Sequence, residues 1–250
     1  MKQRFSKAFL AALGVAWMSL TAGPIAANEP KVVVELFTSQ GCSSCPAADK
    51  LLAELAKDPS ILPISLSVDY WDYLGWKDTL ALPGHVKRQR GYSGMRGDRA
   101  VYTPQAIING AMHVLGSDRQ AIERAVKQVR ANPPRPSLAV DVTVADDRIN
   151  VVIPAGPPPA EPVQVWLCPV AKTVPVNIGR GENRGHTVTY TNSVRGWIRL
   201  GEWKGEELRI SKPISEISAK GKFDAVAILV QAGKPDAPGL VYGAATASLQ

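Results

Sequence analysis

The chain has 250 residues, 45% of them hydrophobic and 20% charged, with a formal charge of +7. That length can bury one large core or two modest ones, and the composition excludes an intrinsically disordered chain. Lys2, Arg4 and Lys7 lie in a segment expected to be removed; 29 Lys and Arg less these three leaves 26 against 22 Asp and Glu. So mild an excess does not point to nucleic acid as a partner.

Residues 1–27 read as a signal peptide. "MKQRFSK" is the positive end, Ala8 to Leu20 the apolar stretch, and "TAGPIAA" supplies small residues before a cut after Ala27. The apolar stretch is short against the ~20 residues of a membrane span. The mature protein is therefore expected in the periplasm or secreted, without a membrane span, in a compartment that permits disulfides. The alternative is an uncleaved anchor. Cys42, Cys45 and Cys168 are too few for a disulfide scaffold, and an odd count leaves one free thiol or an unexpected pairing.

"KVVVELFT" from Lys31 is a β-branched run, the pattern of a strand buried on both faces. "PAADKLLAELAKDP" follows. Ala48, Leu51, Leu52 and Leu55 make a helical stripe, with Pro46 in its first turn and Asp58-Pro59 as its stop. Ile61 to Asp69 reads as a second strand, parallel to the first across the helix. An aromatic insert with Tyr70, Trp71, Tyr73 and Trp76 precedes a short basic helix, "HVKRQRGYS". "TPQAIING" is a third strand ending in an Asn109-Gly110 turn, and "AMHVLGS" returns as a hairpin. Ser117 to Gln120 fits a capping box before a last helix with Ile122, Ala125, Val126 and Val129 inward. "ANPPRP" reads as a linker. The second half holds short alternating or β-branched runs between Pro and Gly clusters, the signature of an antiparallel sandwich or barrel.

The chemistry centres on Cys42-Ser43-Ser44-Cys45, placed where a buried strand meets a helix N-terminus. Helix-end N–H groups and the macrodipole stabilise a thiolate there. Cys42 is expected to be the more exposed, attacking thiol, and Cys45 the buried partner that resolves a mixed disulfide. Other readings stay open on these residues alone. One is a structural disulfide; another is half a zinc site, which lacks a second ligand pair. A third is a copper site completed by His85 or His113. Thr103-Pro104 opens the third strand, an unusual place for proline, and a cis bond there would turn the Thr103 backbone toward the cysteines.

With both motifs in place, residues 31–131 resemble a thioredoxin-like domain. The matched features are "VVVELF", Cys42 and Cys45 opening a helix, Asp69, Thr103-Pro104 as a cis-proline pair, and the Asn109-Gly110 hairpin with Gly116. The whole chain, with its β-rich tail and "GRGENRG", resembles a secreted bacterial family filed as domain-of-unknown-function family 1223. The resemblance implies an α/β thioredoxin-like domain (29–131), a linker (132–136) and a separate β-rich, sandwich-like domain (137–250). It implies a thiol–disulfide oxidoreductase without cofactor or metal. Cys42 and Cys45 would be catalytic, and Thr103 and Pro104 would bind the substrate chain. Glu35 would accept the proton of Cys45, with a carboxyl pKa raised by apolar burial. The partners implied are exported proteins with thiols or disulfides and an unidentified redox partner. Two departures stand out: Gly41 occupies the position where thioredoxins carry an aromatic residue, and Glu35 lies seven rather than six residues before the first cysteine. The runner-up functions are a non-catalytic thioredoxin-fold binding module with a structural disulfide, and a copper-binding metallochaperone-like protein.

The insert aromatics either cover an internal interface or form a groove for a partner peptide. Lys87, Arg88, Arg90, Arg96 and Arg99 read as a solvated face or as a means of steering acidic partners. Arg180, Glu182 and Arg184 read as a charged cluster against the first half. His186 follows them in "GENRG", and Cys168 reads as a buried, inert thiol.

Overall fold

A computed structural model of the chain describes residues 31–234 and 236–249. The expected signal peptide, residues 1–27, lies outside the described residues.

Strand β1 (Val32–Thr38) is buried along its whole length, as a β-branched strand covered on both faces must be. Helix α1 (Cys45–Leu55) begins at the second cysteine and turns Ala48, Leu51, Leu52 and Leu55 inward. β2 (Ile61–Ser67) pairs parallel with β1, Val32 opposite Ile61. Helix α2 (Pro83–Arg96) follows the aromatic insert. β3 (Gln105–Ile108) and β4 (Met112–Leu115) form the hairpin about Asn109-Gly110, with β3 antiparallel to β1. Helix α3 (Arg119–Ala131) is capped by Asp118, whose carboxylate accepts from the Ala121 N–H at 2.9 Å; Ser117, the expected cap, stands one residue outside.

The second half supplies β5 (Asp141–Ala145), β6 (Arg148–Ile153), β7 (Val163–Asn177) and β8 (Thr187–Val194). β9 (Ile198–Trp203), β10 (Leu208–Pro213), β11 (Ala225–Lys234) and β12 (Ala237–Ser248) complete it.

These strands overturn the expected fold class. A thioredoxin-like α/β domain followed by a separate sandwich is not what forms. Nine strands make one mixed sheet in the order β12-β11-β7-β8-β2-β1-β3-β4, with β9 added on β7. The join is the parallel bridge between β2 and β8 at Ser65 and Ser193. Among the described residues, only β5, β6 and β10 stand apart, as a three-stranded sheet. The physical reason is burial. β11 is covered on both faces: Ala227 and Leu229 belong to one core, Val226, Ile228 and Val230 to another. Its unbroken apolar run suits an interior strand of a large sheet better than the edge of a small sandwich.

Three cores result. α1 and α3 cover β1 and β3 through Leu36, Leu52, Ile108 and Ile122. On the opposite face, Val33 and Phe37 meet Val86 and Tyr92 of α2, together with Leu229 and Val241. Between the large sheet and the small one lie Ile149, Ile153, Leu167 and Trp203.

Asn109 joins the two ends of the large sheet. Its N–H donates to Val33 O at 2.8 Å and its Nδ2 to Val241 O at 2.9 Å, while its own carbonyl accepts from Val241 N at 3.1 Å. Among the described residues no helix is long and apolar enough to cross a membrane.

Candidate functional site

Cys42 and Cys45 form a disulfide, with Cα atoms 5.4 Å apart, that ties the turn before α1 to the helix's first residue. The turn before it is tight: Cys42 N–H donates to Ser39 O at 3.2 Å and Cys45 N–H to Cys42 O at 3.1 Å. Ser43 and Ser44 are exposed, but Cys42 is 1% exposed and Cys45 fully buried. The expected exposed first thiol is therefore corrected: both sulfurs are covered.

Two segments from elsewhere in the chain pack against the backbone of this turn. The first is the aromatic insert. A Cβ on Gly41 would lie 2.9 Å from Trp71 Cβ, so position 41 has no room for the aromatic side chain that thioredoxins carry there. Trp71 then reaches the other motif, its Nε1 donating to Thr103 Oγ1 at 2.8 Å. Tyr73 stacks on Trp71 at 6.2 Å and is 76% exposed. The second segment is the loop 178–186 between β7 and β8. Asn183, buried, donates from Nδ2 to Gln40 O and to Cys42 O, both at 2.9 Å. Glu182 Oε2 accepts from Ser43 N at 3.2 Å. Trp76 lies between the two segments, packed beside Gly179 and donating from Nε1 to Gln40 Oε1 at 2.8 Å.

Two buried acids stand near the turn. Asp49 follows Cys45 by four residues on α1, so the two side chains share a helix face. Burial pushes its carboxyl up to about 8; a hydrogen bond from Thr38 opposes this and the charge of Asp78 adds to it. Thr38 Oγ1 donates to its Oδ2 at 3.1 Å; Oδ1 has no partner among the described residues. Asp78 accepts from the N–H groups of Gln40, Leu80 and Ala81. Burial still raises it to about 6.

Glu35, the expected proton acceptor, lies elsewhere. Side chains alternate along β1, so Glu35 points to the α2 face while Val34 and Leu36 point to α1. Arg88 holds it by two bonds, Nε to Oε2 at 2.6 Å and Nη2 to Oε1 at 2.8 Å, and Tyr92 OH also donates to it. Its carboxylate is committed to an ion pair away from Cys45. Arg88 is accordingly buried, not part of a solvated basic face.

Thr103-Pro104 is a cis peptide bond at the start of β3. Among the described residues the Thr103 backbone N–H and C=O make no hydrogen bond. His85 is buried, its Nδ1 bonded to Ser67 O at 2.8 Å, and burial lowers its pKa to about 4. His113 bonds Tyr102 OH through Nδ1 and faces Asp98 through Nε2 at 3.2 Å. Among the described residues no group of three or more His, Cys, Asp or Glu side chains is placed to hold a metal. Cys168 is free and buried on β7, and burial pushes its thiol well up. Sequence reasoning missed Asp49, Asp78 and Asn183. Asp49 had a signal in its spacing of four from Cys45; Asn183 had none beyond its place in the charged loop.

Relatives of the chain agree with this architecture. A crystal structure of a protein from Agrobacterium tumefaciens is 32% identical, covers 89% of this chain and 95% of its own, and superposes with a TM-score of 0.77. HBP35 of Porphyromonas gingivalis, 14% identical, covers 89% of this chain and 76% of its own with a TM-score of 0.54, a likeness of fold alone. No curated protein matches the sequence. The family model described as "Protein of unknown function (DUF1223)" matches residues 33–231, and the chain belongs to that family.

Proposed function

We propose that the protein exchanges thiols and disulfides through Cys42 and Cys45 in an exported compartment, periplasmic or secreted, with exported proteins and a redox partner as its reactants. The observation that carries this reading is a disulfide at a helix N-terminus with a protonatable buried carboxyl, Asp49, four residues beyond the second sulfur. A partner thiolate attacks Cys42 Sγ and the Cys42–Cys45 bond breaks. Cys45 leaves as a thiolate and takes the proton of the neutral Asp49 carboxyl. The partner's second thiolate then attacks its own sulfur in the mixed disulfide and releases Cys42. The partner gives two electrons to the pair; its two thiol protons pass to solvent as the thiolates form, and solvent returns one to the Asp49 carboxylate and one to the Cys42 thiolate, while the reverse sequence oxidises the pair. Thr103 and Pro104 offer the substrate chain a free backbone edge beside Trp71.

The second reading, a structural disulfide in a binding module, is favoured by the burial of both sulfurs. Two measurements separate them. A Cys45→Ser variant is expected to trap mixed disulfides with exported proteins, released by reductant. The wild-type pair is expected to equilibrate with glutathione at a potential above about −300 mV. No trapped species together with a potential well below that value makes the bond structural.

A further inference from the structure

We infer that the loop 178–186 is a gate that decides which thiols reach the Cys42–Cys45 disulfide, with Asn183 as its latch. The inference rests on the exchange reading and extends it to specificity. Attack on a disulfide needs an open approach to one sulfur, and here neither is open. The loop makes its contacts on the backbone of the redox turn itself: the carbonyls of Gln40 and Cys42 and the N–H of Ser43. Those groups belong to residues 40, 42 and 43, at and beside the cysteine whose sulfur a thiol must approach.

The loop is also built to move as a unit. It is braced internally by Ile178 N to His186 O, Gly185 N to Ile178 O and His186 N to Asn183 O, at 3.0, 2.8 and 3.1 Å. Gly181 and Gly185 both take positive φ, 78° and 81°, so the brace holds a shape other residues resist. Its base is anchored by Ile178, buried with Leu80, Val188 and Tyr190, and Trp76 supports it from the side; beyond that base, among the described residues, only Asn183 and Glu182 bond it to the redox turn. Local openings of such a unit are governed by the few bonds that close it. Asn183 is a positioning residue in this scheme; it transfers nothing.

The test uses the oxidised full chain. Reduction by dithiothreitol is followed by alkylation and mass spectrometry in the wild type, Asn183→Ala and Asn183→Asp. The aspartate keeps the shape of the side chain but cannot donate to the two carbonyls. Both variants are expected to be reduced about tenfold faster, from the loss of two buried hydrogen bonds. Their equilibrium constant with glutathione is expected to stay within about twofold of wild type, because a gate speeds both directions alike. Wild-type rates in either folded variant overturn the gate, and so does an equilibrium shift as large as the rate gain. If the alanine variant does not fold, the aspartate variant decides. Faster reduction of the variants beside a wild-type pair that stays oxidised at every glutathione ratio leaves the gate standing and removes the exchange function.

Discussion

Asp49 shows how a single side chain is placed by its spacing and tuned by its surroundings. It is neutral in the folded chain up to about pH 8 and ionised in the unfolded chain above about pH 4. Between those values folding takes up a proton. Its contribution to stability is therefore full below about pH 4 and lost as pH rises toward 8. His85 acts with the opposite sign: its pKa is lowered to about 4, so its contribution is lost as pH falls from about 6.5. Asp49→Asn removes the first effect alone. Urea unfolding is expected to show the variant gaining on wild type as pH rises from 4 to 8, by up to about 5 kcal/mol, with little further gain above pH 8.5. A constant difference across that range would mean that the carboxyl is ionised in the fold. The same variant is expected to reduce more slowly at pH 7, since Cys45 then leaves without its proton donor. The two cysteines were legible because helix start, proline and spacing all pointed to one place. Glu35 was misplaced because a strand alternates faces, and one residue of register separates a carboxyl beside α1 from a carboxyl beside α2.

At the scale of elements, the β3–β4 hairpin shows what pattern reveals and what it hides. Its turn residues, Asn109 and Gly110, were legible from the run they interrupt. Their second role was not. A Cβ on Gly110 would sit 2.1 Å from the carbonyl oxygen of Gly239, where β12 passes, and the residue holds φ at +69°. A clash with backbone cannot be relieved by turning a side chain. Gly110→Ala is expected to cost about 3 kcal/mol in urea unfolding, more than the ~1 kcal/mol of an ordinary glycine turn. A cost near 1 kcal/mol would show that β12 yields. The stripes of α1 and α3 were equally plain, because each presents one face to one core. α2 was not: it buries Arg88, Gln89 and His85 beside Val86 and Tyr92, and a helix that turns polar residues inward shows no apolar period.

For the whole molecule, partition was the feature least visible in sequence. Proline-rich residues 132–136 separate two textures of pattern, yet the strands on either side share a sheet. Alternation reveals that a segment is a strand; it carries no address for the edge it joins. Side chains seal the union where backbone does so only thinly. Arg88 of α2 bonds Glu35 of β1 and, from Nη2, Gln231 of β11 at 2.8 Å. Gln231 in turn donates to Tyr92 OH at 2.7 Å. Arg88→Met leaves Glu35 buried without its cation and is expected to cost about 3–5 kcal/mol. Adding Glu35→Gln is expected to recover part of the loss. Unfolding should stay a single transition with both halves melting together, when followed by Trp76 on one side and Trp203 on the other; two separated transitions would show independent units.

The cover over the disulfide has a consequence in time. Asn183 bonds the carbonyl of a residue 141 positions earlier in the chain. A polypeptide made N-terminus first presents Cys42 and Cys45 well before the loop that hides them. It follows that the pair is barest while the protein is still incomplete. Its own completion then withdraws it from indiscriminate chemistry.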